Sequence, residues 1–395
     1  MPSLTELEIE SRRVLVRVDF DIEIKNGKIE NTSKIENVLP TINYLIENEA
    51  KVILMSNLGN PGGKTDTSMS LEPVAEYLAS LPQIGEIILT DSCVGDGAKN
   101  VIQTLRENQI CLLENLDFHI GEENCDDKLA KQLASFCDIY VNEAFSISHK
   151  KLASTTTINN HARITCPGFQ FTKELEALKK IVHKPASPFI VIWDGDDLNY
   201  DIEVIEKLLE YADTILLSGI NGATFAASAN VETGKTEINK KNLPLCRDLT
   251  DRIRLNKRKI NFQTPVDFTI SQDDESKTLL NSEIGKSSII TEAGTKTINN
   301  YKQIIRKAGT VLWLANSKKA ATVPAAASSE LAKAIAGSSA YCVALGAKAV
   351  NTIKIAALEK GFDHICGSST APMQILKGKS LPAVTAIGLS NSKPL

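Results

Sequence analysis

Short, nearly continuous apolar runs recur along this chain with helix-period segments between them, and that alternation limits the fold more than any other feature. From Arg13 the run RVLVRVD reads as a strand buried on both faces, and KVILMS (Lys51–Ser56), EIILT (Glu86–Thr90), ICLLEN (Ile110–Asn115) and DIYVNE (Asp138–Glu143) are of the same kind. Helical patterns at Asn37–Glu49, Leu71–Ser80 and Asp126–Phe136 separate them. Such strands, alternating with helices, make a parallel sheet covered on both faces. The first half therefore predicts one α/β domain.

Phe171–His183 places Leu175, Leu178, Ile181 and Val182 on one helical face and stops at Lys184-Pro185, as a connecting helix would. The pattern then restarts, with strands predicted at Phe189–Trp193, Thr214–Ser218, Lys259–Phe262, Thr310–Leu314, Tyr341–Leu345 and His364–Cys366. A chain of 395 residues fits two such domains by size, and a cleft between them is the default ligand site. The polar stretch Ser271–Ser288 predicts a loop or edge excursion. The alanine- and serine-rich stretch Ala320–Ala340 predicts a helix through LAKAIA.

Hydrophobic residues at 43% and charged residues at 23% are those of a soluble globular protein. A formal net charge of −4 offers no attraction to nucleic acid or an anionic membrane, so neither is an expected partner. Met1–Ser11 is acidic and polar without an apolar h-region, and no run approaches the ~18 apolar residues of a membrane span, so a cytoplasmic protein is expected. The eight cysteines are scattered without a C-x-x-C pair and read as reduced thiols, not zinc ligands or disulfides.

One stretch is at odds with itself. Pro188–Ile202, PFIVIWDGDDLNYDI, reads strand, glycine turn, helix, the form in which α/β domains present backbone N–H groups to phosphate. Yet it carries Asp194, Asp196, Asp197 and Asp201. D-G-D-D resembles the opening of a calcium loop, but the glycine at loop position six is missing and Ile205 stands at position twelve. The blander reading, carboxylates facing the partial positive charge of a helix N-terminus, is favoured, and no metal is expected. The five histidines are isolated in sequence and suggest no nucleophile–base pair.

RVLVRVDFDIEIKNGKIENTSKIENVLPTINYLIENEAKVILMSNLGNPGGK resembles the amino-terminal domain of the phosphoglycerate kinase family. LLENLDFH, YVNEAFSISHKKLAST, CPGFQFTKELEAL, PVDF, GTKT, TVLWLANS and KGKSLPAV continue the resemblance in order across essentially the whole chain. It implies two Rossmann-like parallel-sheet domains joined by a hinge helix: a glycerate-side domain over 1–183, with a tail at about 380–395 packing back on it, and a nucleotide-side domain over 184–379. It also implies phosphoryl transfer between 1,3-bisphosphoglycerate and Mg-ADP, a reaction that depends on positioning and charge neutralisation.

Carried over position by position, the resemblance places substrate contacts at Asp19, Asp21, Asn57, Asn60, Asp117 and Lys150, and a catalytic cation at Lys34. The arginines that the family motifs carry at 34, 60, 117 and 150 are absent. Lysine keeps the charge but not the planar fork that grips phosphate, and a carboxylate at Asp117 would repel it. On the nucleotide side the corresponding positions are Asp197, Asp201, Gly219, Ala321, Ala347 and Lys348; both family lysines have become aspartates and the metal-associated aspartate has become Ala347. Of the residues kept from the motifs, Arg17 and Asp19 are read first as folding residues, Asn115, Asn142 and Phe145 as packing or hydrogen-bonding positions, and Lys296 as a vestige of the scaffold.

These substitutions lead to the expectation of a monomeric, non-catalytic relative with both ligand sites dismantled. Such a protein would act through contacts with an active paralogue or another protein, with no cofactor and no turnover. One alternative is a kinase of residual or altered activity, using Mg-ATP or Mg-ADP, in which Lys34, Lys150 and Lys348 replace lost groups. The other is a cleft that binds a non-phosphate ligand.

Overall fold

The computed structural model describes residues 2–25, 27–272, 275–317, 325–367 and 370–389. Backbone contacts divide the chain into two compact units, Met1–Glu176 with Ser380–Leu395, and Ala177–Lys379.

Unit 1 runs through β1 (Arg13–Arg17), a small hairpin of β2 (Ile24–Lys25) and β3 (Lys28–Ile29), α1 (Ser33–Glu47), β4 (Lys51–Met55), α2 (Glu72–Ala79), β5 (Glu86–Leu89), α3 (Asp96–Thr104), β6 (Gln109–Leu112), α4 (Asp127–Ser135), β7 (Ile139–Asn142) and β8 (Thr165–Pro167). The six longer-range strands form one parallel sheet in the order β5-β6-β4-β1-β7-β8. Val14, Val16, Val52, Leu54, Ile110 and Val141 pack under α1, whose Ile35, Val38, Ile42 and Leu45 form one buried stripe at helical spacing. Full burial of each such side chain stabilises by about 1.5–3 kcal/mol. This is why the strand runs lack alternation: both faces are covered.

The helix α5 (Phe169–His183) carries the chain from unit 1 into unit 2, so the division falls inside a helix. Unit 2 contains β9 (Phe189–Trp193), α6 (Leu198–Leu208), β10 (Thr214–Leu217), α7 (Gly219–Ser228), α8 (Leu243–Leu255), β11 (Asn261–Gln263), β12 (Asp267–Gln272), β13 (Glu275–Leu280), β14 (Ile289–Ala293), α9 (Thr295–Ile305), β15 (Thr310–Leu314), α10 (Ala326–Ala336), β16 (Tyr341–Leu345), α11 (Ala347–Ile355), β17 (His364–Cys366) and α12 (Thr370–Leu376). Its main sheet is parallel, β11-β10-β9-β15-β16-β17. The last helix, α13 (Pro382–Ala386), belongs to unit 1.

The predicted loop at Ser271–Ser288 is instead part of a three-stranded antiparallel sheet, β13-β12-β14. Its edge strand β13 is almost wholly exposed and shows no apolar period, so only Phe268 and Ile270 of β12, both fully buried, signal the sheet. None of the eight cysteines forms a disulfide. Among the described residues no helix is long and apolar enough to cross a membrane.

Candidate functional site

In an open parallel sheet, ligands bind outside the carboxyl ends of the strands where the strand order reverses. In unit 1 that point lies between β1 and β7, and the first residues past β1 are Val18–Asp21. Asp19 is buried there, with Lys34 Nζ 2.9 Å from its Oδ2 and the Asp21 amide donating to its Oδ1 at 3.0 Å. Ser146, just past β7, donates its hydroxyl to the same Oδ2. Burial alone would raise the Asp19 pKa, but the charge of Lys34 and the hydrogen bonds from Ser146, Lys34 and the Asp21 amide hold it below the usual carboxylate range.

Lys34 stands in the first turn of α1 and also donates to the Asp21 carbonyl at 2.7 Å. Asp21 in turn accepts from the Gly59 amide at 2.9 Å. Asn57, past the end of β4, is fixed by Arg17, whose Nη2 lies 2.8 Å from Asn57 Oδ1 and whose Nε lies 2.8 Å from Ser154 Oγ. Arg17 is fully buried, and Glu122, equally buried, lies 3.9 Å away and accepts from the Ser154 amide at 3.0 Å. Arg17 is thus a buried structural cation that orients Asn57, a candidate site residue.

Asp117 is half-buried, and burial raises its pKa. Arg17 and Lys150 oppose that rise, while Glu123 and Asp21 add to it. Lys150 and Asn60 are exposed. Asn115 exchanges hydrogen bonds with Leu58, accepting at 3.2 Å and donating at 2.7 Å, so it holds the loop past β4.

In unit 2 the order reverses between β9 and β15. Asp194, the first residue past β9, is buried and meets Lys348 Nζ at 2.7 Å and Ser328 Oγ at 3.0 Å. Lys348 comes from the first turn of α11, past β16, with Ala347 exposed beside it. Asp196 accepts from Ser317 Oγ at 2.7 Å. Asp197 is the N-cap residue of α6 but makes no side-chain cap bond, so the capping role expected of a carboxylate there is not realised at this position.

Asp201 is fully buried and turned toward the protein, accepting from Trp193 Nε1 at 2.7 Å and Asn316 Nδ2 at 3.3 Å. Burial pushes its pKa up to about 6; those two bonds oppose the rise, and Asp197 and Asp196 reinforce it. Gly219 opens α7 in the left-handed region, where a Cβ would lie 3.0 Å from Asp194 Oδ1 and 3.2 Å from the Gly195 carbonyl. Asn221 Nδ2 is buried and has no hydrogen-bond partner among the described residues. Ala321 lies outside the described residues.

Ser146, Ser328, Asn316 and Asn221 were not among the candidates from sequence. Their signal is positional: each lies just past a strand beside a switch point or on the helix facing it. Lys296 opens α9, where the buried Asp267 carboxylate accepts from the amides of Lys296 at 2.9 Å and Thr297 at 2.8 Å.

The phosphoglycerate kinase family model matches residues 4–379. A curated phosphoglycerate kinase of Anaeromyxobacter dehalogenans is 33% identical over 392 residues, covering 97% of this chain and 98% of that protein. One from Desulfosudis oleivorans is 31% identical over 395 residues, covering 98% of each. The structure of phosphoglycerate kinase from Coxiella burnetii superposes with a TM-score of 0.86 at 27% identity, and that from Pyrococcus horikoshii with 0.80 at 27%, each covering 98% of both chains.

This full-length match to curated kinases overturns the expectation of a non-catalytic relative with dismantled sites. Weighed one at a time, the substitutions read as losses. In the structure, however, a lysine is ion-paired at each switch point, Lys34 with Asp19 and Lys348 with Asp194, and Asp201 turns its carboxylate inward to Trp193. Positive charge is redistributed in this chain as well as removed. With both sheets, both switch points and the whole length of the match on one pattern, the chain belongs to the phosphoglycerate kinase family.

Proposed function

We propose that this chain is a phosphotransferase of the phosphoglycerate kinase type with altered anion contacts. It transfers a phosphoryl group between ATP and 3-phosphoglycerate, giving ADP and 1,3-bisphosphoglycerate, and acts as a cytoplasmic monomer. The observation that carries this reading is a match over residues 4–379 that spans both units without a gap in architecture.

Transfer of this kind needs a cation where negative charge collects and a fixed acceptor geometry. Lys34 supplies the cation. Its two oxygen partners, Asp19 Oδ2 and the Asp21 carbonyl, hold the ammonium in place, and Asp19 is itself held by Ser146 and the Asp21 amide. A point charge lacks the two-pronged grip of a guanidinium, so the acceptor is expected to bind more weakly than to an arginine-lined site.

The nucleotide arrives with magnesium, and the unit 2 switch point suits that pair. The Asn221 side-chain Nδ2, without a partner among the described residues, and the N-terminus of α7 favour phosphate oxygens, and the half-buried Asp196 and Asp197 carboxylates favour a hard cation. When bound, the metal neutralises phosphate charge.

The test is a coupled assay of the full chain with millimolar ATP, magnesium and 3-phosphoglycerate. Turnover below the ~1–100 s⁻¹ usual for kinases, lowered a further roughly 10³-fold by Lys34→Ala, is expected. Absence of transfer in either direction, with ATP or GTP and with magnesium or manganese, would overturn the reading.

A further inference from the structure

All six strands of the main unit 2 sheet run parallel, and each is entered from a helix: β9 from α5, β10 from α6, β11 from α8, β15 from α9, β16 from α10 and β17 from α11. The six entering loops therefore lie together at the amino end of the sheet, opposite the turn that bears Asp194. They carry Lys184, Lys257, Arg258, Lys259, Arg306, Lys307 and Lys360 against four carboxylates, Glu210, Asp213, Glu359 and Asp363.

Most of that negative charge is already engaged. Asp213 pairs with Arg258, Glu210 pairs with Lys207, and Asp363 accepts from the Cys342 amide at 2.7 Å, which leaves Glu359. The other six cations are exposed and make no ion pair among the described residues. The formal charge of −4 belongs to the whole chain, whereas a charged surface acts over about 8 Å at physiological ionic strength, so the local excess decides what this face attracts.

Cations just past the C-terminus of a helix have an ordinary explanation, since they meet its partial negative charge. That explanation does not cover the apolar residues beside them. Leu255 ends α8 and is 83% exposed, and Ile355 ends α11 and is 55% exposed. These two helices lead into β11 and β17, the opposite edges of the sheet, so the aliphatic residues flank a basic face about 24 Å wide. Binding of single-stranded nucleic acid would call for aromatic rings on which bases can stack. Here Phe189 stacks on Tyr211, Phe362 on Trp313, and Tyr341 lies under Lys180. Aliphatic prongs among lysines suit a lipid headgroup layer instead.

We propose that the amino end of the unit 2 sheet docks on an anionic membrane surface, with Leu255 and Ile355 entering the headgroup region and the six exposed cations facing acidic lipids. The association is peripheral and reversible, and it leaves the carboxyl end of the same sheet open to solvent. It stands independently of the phosphotransferase reading.

The experiment is co-sedimentation of the full chain with vesicles of phosphatidylcholine alone and of phosphatidylcholine mixed with phosphatidylserine, at low and high ionic strength. The natural chain is expected on the mixed vesicles at low ionic strength and not on the neutral ones. Lys257→Ala with Lys259→Ala should weaken that binding roughly 25-fold, about fivefold for each lysine. Leu255→Ser should weaken it roughly tenfold. Glu359→Lys should strengthen it. Trp193 and Trp313 are both fully buried, so in Leu255→Trp a blue shift of emission on adding mixed vesicles would report entry of that position into the headgroup layer. Melting temperatures should not change, because every altered residue is exposed.

No binding of the natural chain to mixed vesicles would overturn the proposal. So would binding that is indifferent to Lys257, Lys259 and Leu255. Retention of a single-stranded RNA homopolymer without vesicle binding would assign the face to nucleic acid and overturn it equally. Vesicle binding by a chain that shows no phosphoryl transfer would leave this proposal standing and remove the proposed activity.

Discussion

Lys34 Nζ and Asp19 Oδ2 lie 2.9 Å apart, and the same carboxylate oxygen accepts the hydroxyl of Ser146 from the other side of the unit 1 switch point. The carboxylate that pairs with the cation is therefore held from two loops at once. Lys34→Ala is expected to lower kcat by roughly 10³-fold, the lower end for removing a positive group from a phosphoryl-transfer site. Asp19→Asn should lower it less, since the Asp21 carbonyl still accepts from Lys34. Initial rates at saturating substrates, with melting temperatures as a folding control, check both.

Asn60 is exposed at a position where the family motif carries arginine. Asn60→Arg should restore a bidentate phosphate contact and lower the KM for 3-phosphoglycerate by about tenfold with little change in kcat, the pattern of added ground-state binding. A KM that does not move would place the acceptor elsewhere.

Arg17 and Glu122 are both fully buried at 3.9 Å. Arg17→Met would strand Glu122, which burial already pushes toward its neutral form, and should cost about 3–5 kcal/mol in urea unfolding. Adding Glu122→Gln should recover part of that loss. It should not restore substrate affinity, because Asn57 has lost the guanidinium that orients it.

Glu143, past β7, accepts from the amides of Gln170 at 3.0 Å and Phe171 at 2.8 Å, and from the Thr41 hydroxyl. Burial pushes its pKa up to about 7, against these bonds. A carboxyl with a raised folded pKa contributes stability that is complete below its unfolded value and is lost as pH rises through the folded one. Between about pH 4.5 and 7, Glu143 should therefore lower stability by at most roughly 3 kcal/mol. Asp19, with a lowered folded pKa, acts oppositely: its contribution is present above its unfolded value and is lost as pH falls through the folded one. Urea titrations at pH 5 and pH 8 should show a smaller difference in Glu143→Gln than in the natural chain.

The central strands were legible because parallel strands buried on both faces leave uninterrupted apolar runs. Phe189–Trp193, Thr310–Leu314, Tyr341–Leu345 and His364–Cys366 occur as read. The antiparallel sheet was hidden because β13 faces solvent, and β8 because it is only Thr165–Pro167. At the sites, residue types could be placed but not orientations. Nothing local shows that Asp201 points at Trp193, and the Lys348–Asp194 pair joins residues from opposite ends of unit 2, apparent only once β9, β15 and β16 are known to be neighbours.

Unit 1 is discontinuous. Leu381, Ala383, Val384 and Ile387 are buried, and the Ala383 amide donates to the Ser148 carbonyl at 3.1 Å, although all of unit 2 intervenes. During synthesis, the first unit to emerge is thus the last to be completed. At ribosomal speeds of roughly 5–20 residues per second, the surface that receives α13 waits on the order of 10–40 s for its partner segment. The Ser148 carbonyl, two residues beyond the Ser146 that donates to Asp19, therefore gains its α13 partner only after the unit 2 sheet has been synthesised.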